Sequence, residues 1–337
     1  MSPMLRVAIN GFGRIGRSVA RIIATRKNIE LVAINDITSA QMMAYLFKND
    51  SVHGGFQDDV ELLDNDYLKI ANSKVKLLFK NSPKEIDFAK YGADIVLECS
   101  GKFLQSTDVQ THIDSGISNV IFSAVPHDDT PTFVIGVNSD DYDGQKIISN
   151  ASCTTNCLAP IAKIIDDSFG LEKAFVTTIH SYTGDQNLLD SKHTRDFRRA
   201  RAAAINMIPT TTGAATGIKK VLPYMNGRIN GHSVRVPTPN VSMVDLNIVL
   251  KQSVSVDDVN RVFEDAQNSF LDGILLLDTE KRVSSDFIGS PYSSIVSADL
   301  TQVLEENFIK VMAWYDNEFG YANRLVDMAL YIWGRKE

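Results

Sequence analysis

Leu5-Arg-Val-Ala-Ile-Asn-Gly-Phe-Gly-Arg-Ile-Gly-Arg17 places a short apolar strand directly before a glycine-rich turn. The pattern then becomes helical, with one apolar face formed by Ile15, Val19, Ile22 and Ile23, and returns to a predicted strand at residues 31–34. Asp36 follows this second strand, 20 residues beyond Gly16. Strand, glycine turn, helix, strand and acid in this order predict a dinucleotide-binding βαβ unit.

The glycines Gly11, Gly13 and Gly16 form the pattern Gly-x-Gly-x-x-Gly. They let the backbone approach a pyrophosphate, which lies at the helix N-terminus. We expect Asp36 to hydrogen-bond the adenosine ribose and to repel a 2′-phosphate, which favours NAD over NADP. The alternative, a tight turn between core elements, would require neither the second strand nor the acid.

The rest of the first domain continues the same alternation. Apolar runs at residues 93–98, 119–124 and 132–137 are predicted strands separated by helical stretches, which indicates a doubly wound, mainly parallel sheet of the α/β class. Ser123 lies at a strand end, where such sheets bind ligands. We predict an NAD-binding domain at residues 1–150, completed by a C-terminal helix at 317–337 with an apolar side of Leu325, Met328, Ala329 and Ile332.

Two cysteines lie in the stretch Ser149-Asn-Ala-Ser-Cys153-Thr-Thr-Asn-Cys157-Leu-Ala-Pro160, which opens a helical pattern. A thiol at a helix N-terminus should ionise more readily than a free one, because the unpaired amides favour an anion. His180 follows in a strand-like run and is a candidate base for Cys153. The alternative is that Cys153 is a small buried hydrophobic residue, as we expect for Cys157.

After this helix the pattern changes to that of an α+β catalytic domain, predicted at residues 151–316. Strands are predicted at 175–182, 233–250, 294–301 and 308–315, with few intervening helices, which indicates a mixed or antiparallel sheet. One helix begins with the capping signature Ser255-x-x-Asp258. A long polar segment at 183–209 carries a basic cluster of Arg195, Arg198, Arg199 and Arg201, which could be a solvated face, bind phosphate or pair with another subunit.

Two further features of this domain are candidate anion sites. Thr210-Thr-Thr-Gly213 offers hydroxyls and backbone amides before a helical stretch at 214–222. Arg235 adds a bidentate donor. The alternatives are a helix cap for Thr212 and a surface ion pair for Arg235.

Composition limits the classes of function. The chain has 337 residues, 44% of them hydrophobic, a net charge of −7 and a pI of about 5.4, which argues against a broad nucleic-acid site. Three cysteines do not make a disulfide framework, and no metal set is expected. No secretion signal or membrane-length apolar segment is found, so we expect a cytoplasmic protein.

Seven stretches in order resemble the phosphorylating glyceraldehyde-3-phosphate dehydrogenase family over essentially the whole chain. They begin at Asn10, Ala151, His180, Arg198, Pro209, Arg235 and Trp314, the last being Trp314-Tyr-Asp-Asn-Glu-Phe-Gly-Tyr321. The resemblance implies oxidation of glyceraldehyde 3-phosphate with NAD and inorganic phosphate, giving 1,3-bisphosphoglycerate through a cysteine hemithioacetal and thioester. It also implies a homotetramer with the loop after His180 at a subunit interface.

The resemblance also implies roles for particular residues. Cys153 would be the nucleophile and His180 its base, while Thr183 and Arg235 would hold the substrate's phosphate. Inorganic phosphate would be received by Ser152, Thr154, Thr212 and Gly213. NAD would be bound by Gly13, Arg14, Ile15, Asp36 and Asn317, with Asn317 near the nicotinamide amide. The complete set of predicted cofactor residues adds Gly11 and Gly16 of the glycine turn, Ser123 at its strand end, and Tyr321.

Two other functions compete with this reading. Erythrose-4-phosphate dehydrogenase shares the cysteine and the fold but resembles the chain less at Thr183 and Thr210-Thr-Thr-Gly213. A catalytically idle protein that grips RNA through its cofactor groove is less consistent with an intact pair of Cys153 and His180.

Overall fold

The computed structural model describes residues 4–194 and 196–335, except for the side chain of Ala215. Arg195 of the basic cluster and the last two residues of the predicted C-terminal helix lie outside the described residues. The chain forms two compact units. Unit 1 contains residues 4–135, 139–151 and 322–335, and unit 2 contains residues 136–138 and 152–321. The functional domain boundaries at residues 150 and 316 stay a prediction.

Unit 1 is built on an eight-stranded sheet in the order β3-β4-β5-β2-β1-β6-β7-β8. The strands are β1 (Leu5–Asn10), β2 (Ile29–Asn35), β3 (Val60–Leu63), β4 (Tyr67–Ile70), β5 (Ser73–Leu78), β6 (Ile95–Glu98), β7 (Asn119–Phe122) and β8 (Ile147–Ser149). From β5 to β8 all neighbours are parallel, and β3 and β4 add an antiparallel edge. Helices α1 (Arg14–Thr25), α2 (Ala40–Lys48) and α3 (Ser106–Asp114) connect the strands. The predicted mainly parallel α/β sheet is confirmed.

The strand expected at residues 132–137 does not form. Thr132 makes a single isolated bridge to Ser149, and the N–H of Phe133 donates to the Ser149 carbonyl at 2.8 Å. The chain then turns at Gly136, whose φ is +76°. Phe133 and Val134 are nevertheless buried. Residues 132–137 are therefore apolar because they pack in the core, and β8 forms the edge of the sheet.

Unit 2 is built on a mixed sheet in the order β10-β11-β9-β12-β16-β14-β13, with β15 paired to β16. Its strands are β9 (Leu171–Ser181), β10 (Ile208–Thr210), β11 (Ile229–Val236), β12 (Ser242–Leu250), β13 (Leu275–Asp278), β14 (Ser294–Ser297), β15 (Gln302–Leu304) and β16 (Phe308–Tyr315). β9 and β11 are parallel, as are β13 and β14, and the other pairs are antiparallel. The expected mixed sheet is confirmed.

Three helices complete unit 2, and a fourth links it to the chain's end. They are α4 (Cys153–Phe169), α5 (Ala214–Val221) and α6 (Val256–Gln267), and α6 carries the predicted capping box of Ser255 and Asp258. Helix α7 (Phe319–Gly334) begins in unit 2, and from residue 322 its residues belong to unit 1. Its predicted apolar side is fully buried. No helix among the described residues is long and apolar enough to span a bilayer.

The predicted strand at residues 233–250 is two strands. β11 ends at Val236 and β12 begins at Ser242, so the chain bends between them. Pro237 and Pro239 lie in this bend and lack the N–H that a sheet ladder needs. Val241 has a φ of +66°, which is rare for a β-branched residue. The bend fixes where Ser242 enters the sheet.

Candidate active site

Cys153 is the first residue of α4, and its surroundings are built to expose the helix N-terminus. The hydroxyl oxygen of Ser152 accepts a hydrogen bond from the N–H of Thr155 at 3.1 Å and so caps the helix. Ala151, directly before the cap, is left-handed with a φ of +56°. Cys153 remains partly exposed, with the amides of the first turn around it. The predicted placement of Cys153 at a helix N-terminus is confirmed.

His180 lies near the end of β9 and faces this cysteine. Its Nε2 lies 3.7 Å from the Sγ of Cys153, and its Nδ1 lies 2.8 Å from the carbonyl oxygen of Ser181. A carbonyl can only accept, so we assign the proton of the neutral ring to Nδ1, although the Nη1 of Arg235, which can only donate, lies 2.9 Å from the same atom. The lone pair on Nε2 then faces the sulfur, which is the arrangement a general base requires.

Arg235 is brought to the same place by strand register. It pairs directly with His180 across the parallel strands β9 and β11. Its Nη1 lies 2.9 Å from Nδ1 of His180 and donates to the Ser181 carbonyl at 3.2 Å. Its Nε is buried without a partner, and no carboxylate of the described residues forms an ion pair with it. The alternative of a surface ion pair is therefore not what the structure shows.

The electrostatics of the pair favour neutral groups at rest. Burial raises the pKa of the Cys153 thiol, although the nearby charge of Arg235 and hydrogen bonds from Thr154 oppose this. Burial and the same arginine lower the pKa of His180 to about 3. Burial thus opposes the ionisation that the helix N-terminus favours, and the easier ionisation of Cys153 stays a prediction. A thiol beside an unprotonated imidazole leaves the ring free to accept a proton.

The predicted phosphate residues all lie in unit 2. The Thr154 hydroxyl lies 2.9 Å from the hydroxyl of buried Tyr315, and the Thr212 hydroxyl accepts from the N–H of Ala214 at 3.1 Å. Thr212 thus makes the local cap contact that was its alternative reading. Thr183 follows β9 and is half-buried, and Gly213 is exposed immediately before α5.

Helix α5 packs closely against α4. A β-carbon at Gly217 would lie 2.2 Å from the Oγ1 of Thr155, so glycine is needed for this approach. Thr155 is in the first turn of α4, and Gly217 is in the first turns of α5. The contact therefore brings the stretch Thr210-Thr-Thr-Gly213 to the same end of unit 2 as Cys153.

Arg199 has a more specific position than its membership of a basic cluster indicated. Its Nε and Nη2 donate to the Oγ1 of Thr210 at 3.0 and 2.6 Å, and its Nη1 forms an ion pair with Asp185. The sequence signal was the arginine run alone, which does not distinguish Arg199 from Arg198. The pairing supports the stretch that precedes α5.

The glycine turn of unit 1 is closely packed. Gly11 has a φ of +94°, and a β-carbon there would lie 2.5 Å from the backbone of Ser100. A β-carbon at Gly16 would lie 2.2 Å from the carbonyl oxygen of Gly11, whereas one at Gly13 would meet nothing within 4 Å. The turn is therefore closely packed at Gly11 and Gly16 and open at Gly13, which fits a pyrophosphate approaching the backbone there.

Asp36 lies beside this turn, as the fingerprint predicts. Its Oδ2 accepts from the N–H of Phe12 at 2.6 Å, and its Oδ1 accepts from the N–H of Thr38 at 2.9 Å. Both it and Gly13 line a pocket at the carboxyl ends of the parallel strands. The turn, the helix N-terminus and the carboxylate are the groups that an NAD molecule's adenosine half needs, so the site fits this cofactor.

The other predicted cofactor residues are found in both units. Arg14 opens α1 and forms an ion pair with Asp50 at 2.5 Å, and Ile15 follows it in the first turn. Ser123 comes directly after β7, and its N–H donates to the Glu98 carbonyl at 3.0 Å. Asn317 and Tyr321 belong to unit 2 and are nearly buried.

A buried polar network underlies the turn. The side chain of Asn10 donates to Glu98 at 2.5 Å and accepts from Asn35 at 2.8 Å, and the hydroxyl and N–H of Ser100 also donate to Glu98. Burial raises the pKa of Glu98 to about 7, although these hydrogen bonds oppose the shift. Polar groups at strand ends have no distinctive sequence pattern, so Asn35 and Glu98 could not be assigned to this network from the sequence.

Two family models match the chain. The model described as "Glyceraldehyde 3-phosphate dehydrogenase, NAD binding domain" matches residues 5–106, and the one described as "Glyceraldehyde 3-phosphate dehydrogenase, C-terminal domain" matches residues 152–317. The first covers the glycine turn and Asp36. The second covers Cys153, His180, Arg235 and Asn317.

Individual proteins are similar over nearly the full length. A glyceraldehyde-3-phosphate dehydrogenase of Priestia megaterium is 48% identical over 330 residues, which are 97% of this chain and 98% of that protein. Glyceraldehyde-3-phosphate dehydrogenase 1 of Bacillus subtilis is 46% identical with the same coverage. The chloroplastic enzyme GAPB of Arabidopsis thaliana is 47% identical over 96% of this chain and 74% of its own length.

Proposed function

The chain belongs to the glyceraldehyde-3-phosphate dehydrogenase family, and from this premise we propose that Cys153 and His180 carry its reaction. It is an NAD-dependent oxidoreductase that oxidises glyceraldehyde 3-phosphate in glycolysis. The observation that supports these two residues is the 3.7 Å approach of the Nε2 of His180 to the Sγ of Cys153 at a helix N-terminus.

The chemistry follows from what the two groups can do. The sulfur of Cys153 attacks the aldehyde carbon and forms a hemithioacetal, whose hydroxyl keeps the proton that the thiol gives up. Nε2 of neutral His180 accepts this hydroxyl proton as the carbon loses its hydride, which leaves a thioester on Cys153. Bound NAD supplies the hydride acceptor. The N–H of Cys153 at the helix terminus stabilises the developing oxyanion.

Phosphate groups are held by the polar residues around the pair. Arg235 and Thr183 bind the phosphate of the substrate, and the unpaired guanidinium of Arg235 supports this role because it lacks a carboxylate partner among the described residues. Inorganic phosphate is received by Ser152, Thr154, Thr212 and Gly213. Its oxygen attacks the thioester carbon, the sulfur leaves, and 1,3-bisphosphoglycerate is released.

The cofactor residues divide by the part of NAD that they meet. Gly11, Gly13, Arg14, Ile15 and Gly16 hold the pyrophosphate, and Asp36 hydrogen-bonds the adenosine ribose. Ser123 and Tyr321 contact the cofactor, and Asn317 binds the nicotinamide amide. The open backbone at Gly13 and the placement of Asp36 support the first two assignments.

The chain assembles as a homotetramer and works in the cytoplasm. Exposed apolar side chains in the segment after His180 support assembly, because such a set on a water-facing surface indicates a contact with another protein. They are Leu188, Leu189, Phe197, Ile205 and Met207, and Phe197 is 95% exposed. Three free thiols support a reducing compartment. The acidic charge supports the absence of a dedicated nucleic-acid site.

The test is formation of NADH from glyceraldehyde 3-phosphate by the wild-type chain and by Cys153→Ser, with and without inorganic phosphate. We expect phosphate-dependent turnover that Cys153→Ser loses while NAD binding is kept. Turnover by Cys153→Ser would contradict the role of the thiol. Erythrose-4-phosphate dehydrogenase activity is not favoured by the relatives' names, and a rate independent of phosphate but dependent on the four-carbon sugar would restore it.

A further inference from the structure

Asn317 is held by two buried serine hydroxyls of unit 2. The hydroxyls of Ser181 and Ser242 each donate to the Oδ1 of Asn317 at 2.9 Å. Both serines are essentially inaccessible to water, and Asn317 is 7% exposed. The carboxamide oxygen therefore has two donors, and the Nδ2 group points away from them.

Ser242 makes a second contact that fixes its own direction. Its oxygen accepts a hydrogen bond from the N–H of Ser181 at 3.1 Å. Ser181 is next to His180, and its carbonyl oxygen lies 2.8 Å from Nδ1 of that ring. One hydroxyl thus lies between Asn317 and the strand end that carries the catalytic base.

The orientation of the Asn317 amide follows from these donors. If the amide were turned over, its NH2 group would face both serine oxygens. Each hydroxyl proton would then lose the acceptor it has, and the two hydroxyls, 3.5 Å apart, could satisfy at most one of the two protons through each other. Leaving a buried hydroxyl without an acceptor is unfavourable, so the observed orientation is preferred.

We propose that Ser242 is a positioning residue: its hydroxyl holds the Asn317 carboxamide so that Nδ2 donates to the carboxamide oxygen of the nicotinamide. The proposal rests on the proposed role of Asn317 in binding NAD. The left-handed Val241 directly before Ser242 supports it, because strained backbone persists where surrounding structure fixes the position of a functional group.

The experiment compares binding of NAD and of ADP-ribose, which lacks the nicotinamide, by titration calorimetry. Ser242→Ala should weaken NAD binding about 2- to 10-fold, the range of one neutral hydrogen bond, and leave ADP-ribose binding unchanged. Ser242→Thr, which keeps the hydroxyl, should restore NAD binding. A purely structural role would weaken both ligands equally, and that result would overturn the proposal.

A double-mutant cycle tests whether Ser242 acts through Asn317. In an Asn317→Ala background, Ser242→Ala should add no further loss of NAD affinity, whereas additive losses would overturn the proposal. Ser233→Ala is a matched control, since it removes a buried hydroxyl of the same sheet that donates to Thr178. It should affect neither ligand.

Two further measurements keep the outcomes separate. If Ser242→Ala does not fold, Ser181→Ala removes the other donor to Asn317 and should show the same selective loss of NAD affinity. Equal loss for both ligands would again overturn the proposal. Wild-type protein that binds ADP-ribose and NAD with equal affinity, and forms no NADH, would refute the proposed function itself. If the wild type forms NADH as expected but Ser242→Ala weakens the binding of NAD and ADP-ribose equally, only the role of Ser242 is refuted.

Discussion

The carbonyl oxygen of Ser181 lies 2.8 Å from the Nδ1 of His180, on the ring atom that does not face Cys153. This contact favours the tautomer in which Nε2 carries the lone pair, whereas the Nη1 of Arg235, 2.9 Å from Nδ1, favours the other. A backbone carbonyl therefore does here what a carboxylate does in other nucleophile and base pairs. Since it cannot take up a proton or gain a charge, it orients the ring without adding a negative charge to the site.

Replacing His180 tests its role as base. His180→Asn should lower kcat by about 10²- to 10⁴-fold, the usual contribution of a positioned acid or base. Stoichiometric labelling of Cys153 by iodoacetamide, followed by mass spectrometry, should show that the thiol is still present and accessible. An unchanged kcat would contradict the assignment.

Gly16 and Gly13 should respond differently to the same substitution. Gly16→Ala places a methyl group 2.2 Å from the Gly11 carbonyl and should destabilise the protein by about 1–3 kcal/mol or more. A β-carbon at Gly13 would meet nothing within 4 Å, so Gly13→Ala should keep the melting temperature of the wild type. It should lower the affinity for NAD at least about tenfold, because the methyl group would occupy the space through which the pyrophosphate approaches the backbone. Melting curves and NAD titrations check both. A Gly13→Ala protein that binds NAD normally would contradict the proposed turn function.

His112 should make the protein less stable in mild acid. It is fully buried in α3 against Phe88, both ring nitrogens lack hydrogen-bond partners within the described chain, and burial lowers its pKa to about 4. Because an unfolded histidine titrates near 6.5, the unfolded state binds more protons as the pH falls from about 6.5 to 4. This group should therefore reduce the free energy of unfolding by about 2 kcal/mol between pH 7 and pH 5.

His112→Leu isolates that effect. Glu98 acts in the opposite direction, since its raised pKa stabilises the fold as the pH falls from about 7. The difference in urea midpoint between His112→Leu and the wild type should therefore shift in favour of the variant as the pH falls from 7 to 5. A difference that does not change with pH would show that His112 is not protonated on unfolding.

The exposed apolar residues after His180 should be needed for assembly. Leu188→Asp places a charge at a side chain that is 78% exposed, so it should reduce the oligomer to smaller species without lowering the stability of the single chain. Val283→Asp is the control, because Val283 is also exposed but lies outside this segment. Light scattering after size-exclusion chromatography reads the mass directly. Equal masses for both variants and the wild type would contradict an interface at this segment.

Residues with a strong local pattern were predictable from the sequence. The glycine turn, Asp36 and the capped start of α4 each combine a residue type with a fixed spacing, and the structure places them as expected. Strand limits were less predictable. Residues 132–137 are apolar because they pack in the core, and they form no strand there. Residues 233–250 were predicted as one strand, but the chain bends near Val241 and forms two.

Residues that act through partners distant in sequence were not predictable. Ser242 has no local motif, and its contacts with Ser181 and Asn317 join positions 61 and 75 residues away. Helix position alone likewise does not show how far burial of Cys153 raises the pKa of its thiol. Tertiary packing decides both properties.

The guanidinium of Arg235, which has no carboxylate partner among the described residues, also determines how preparations of this protein should be handled. A half-buried cation of this kind attracts any small tetrahedral oxyanion, and sulfate has the same shape as phosphate. With Arg235 in its proposed role as holder of the substrate's phosphate, we expect ammonium sulfate carried over from salting out to compete with the triose. Apparent Michaelis constants should therefore be compared only between samples dialysed into the same chloride buffer.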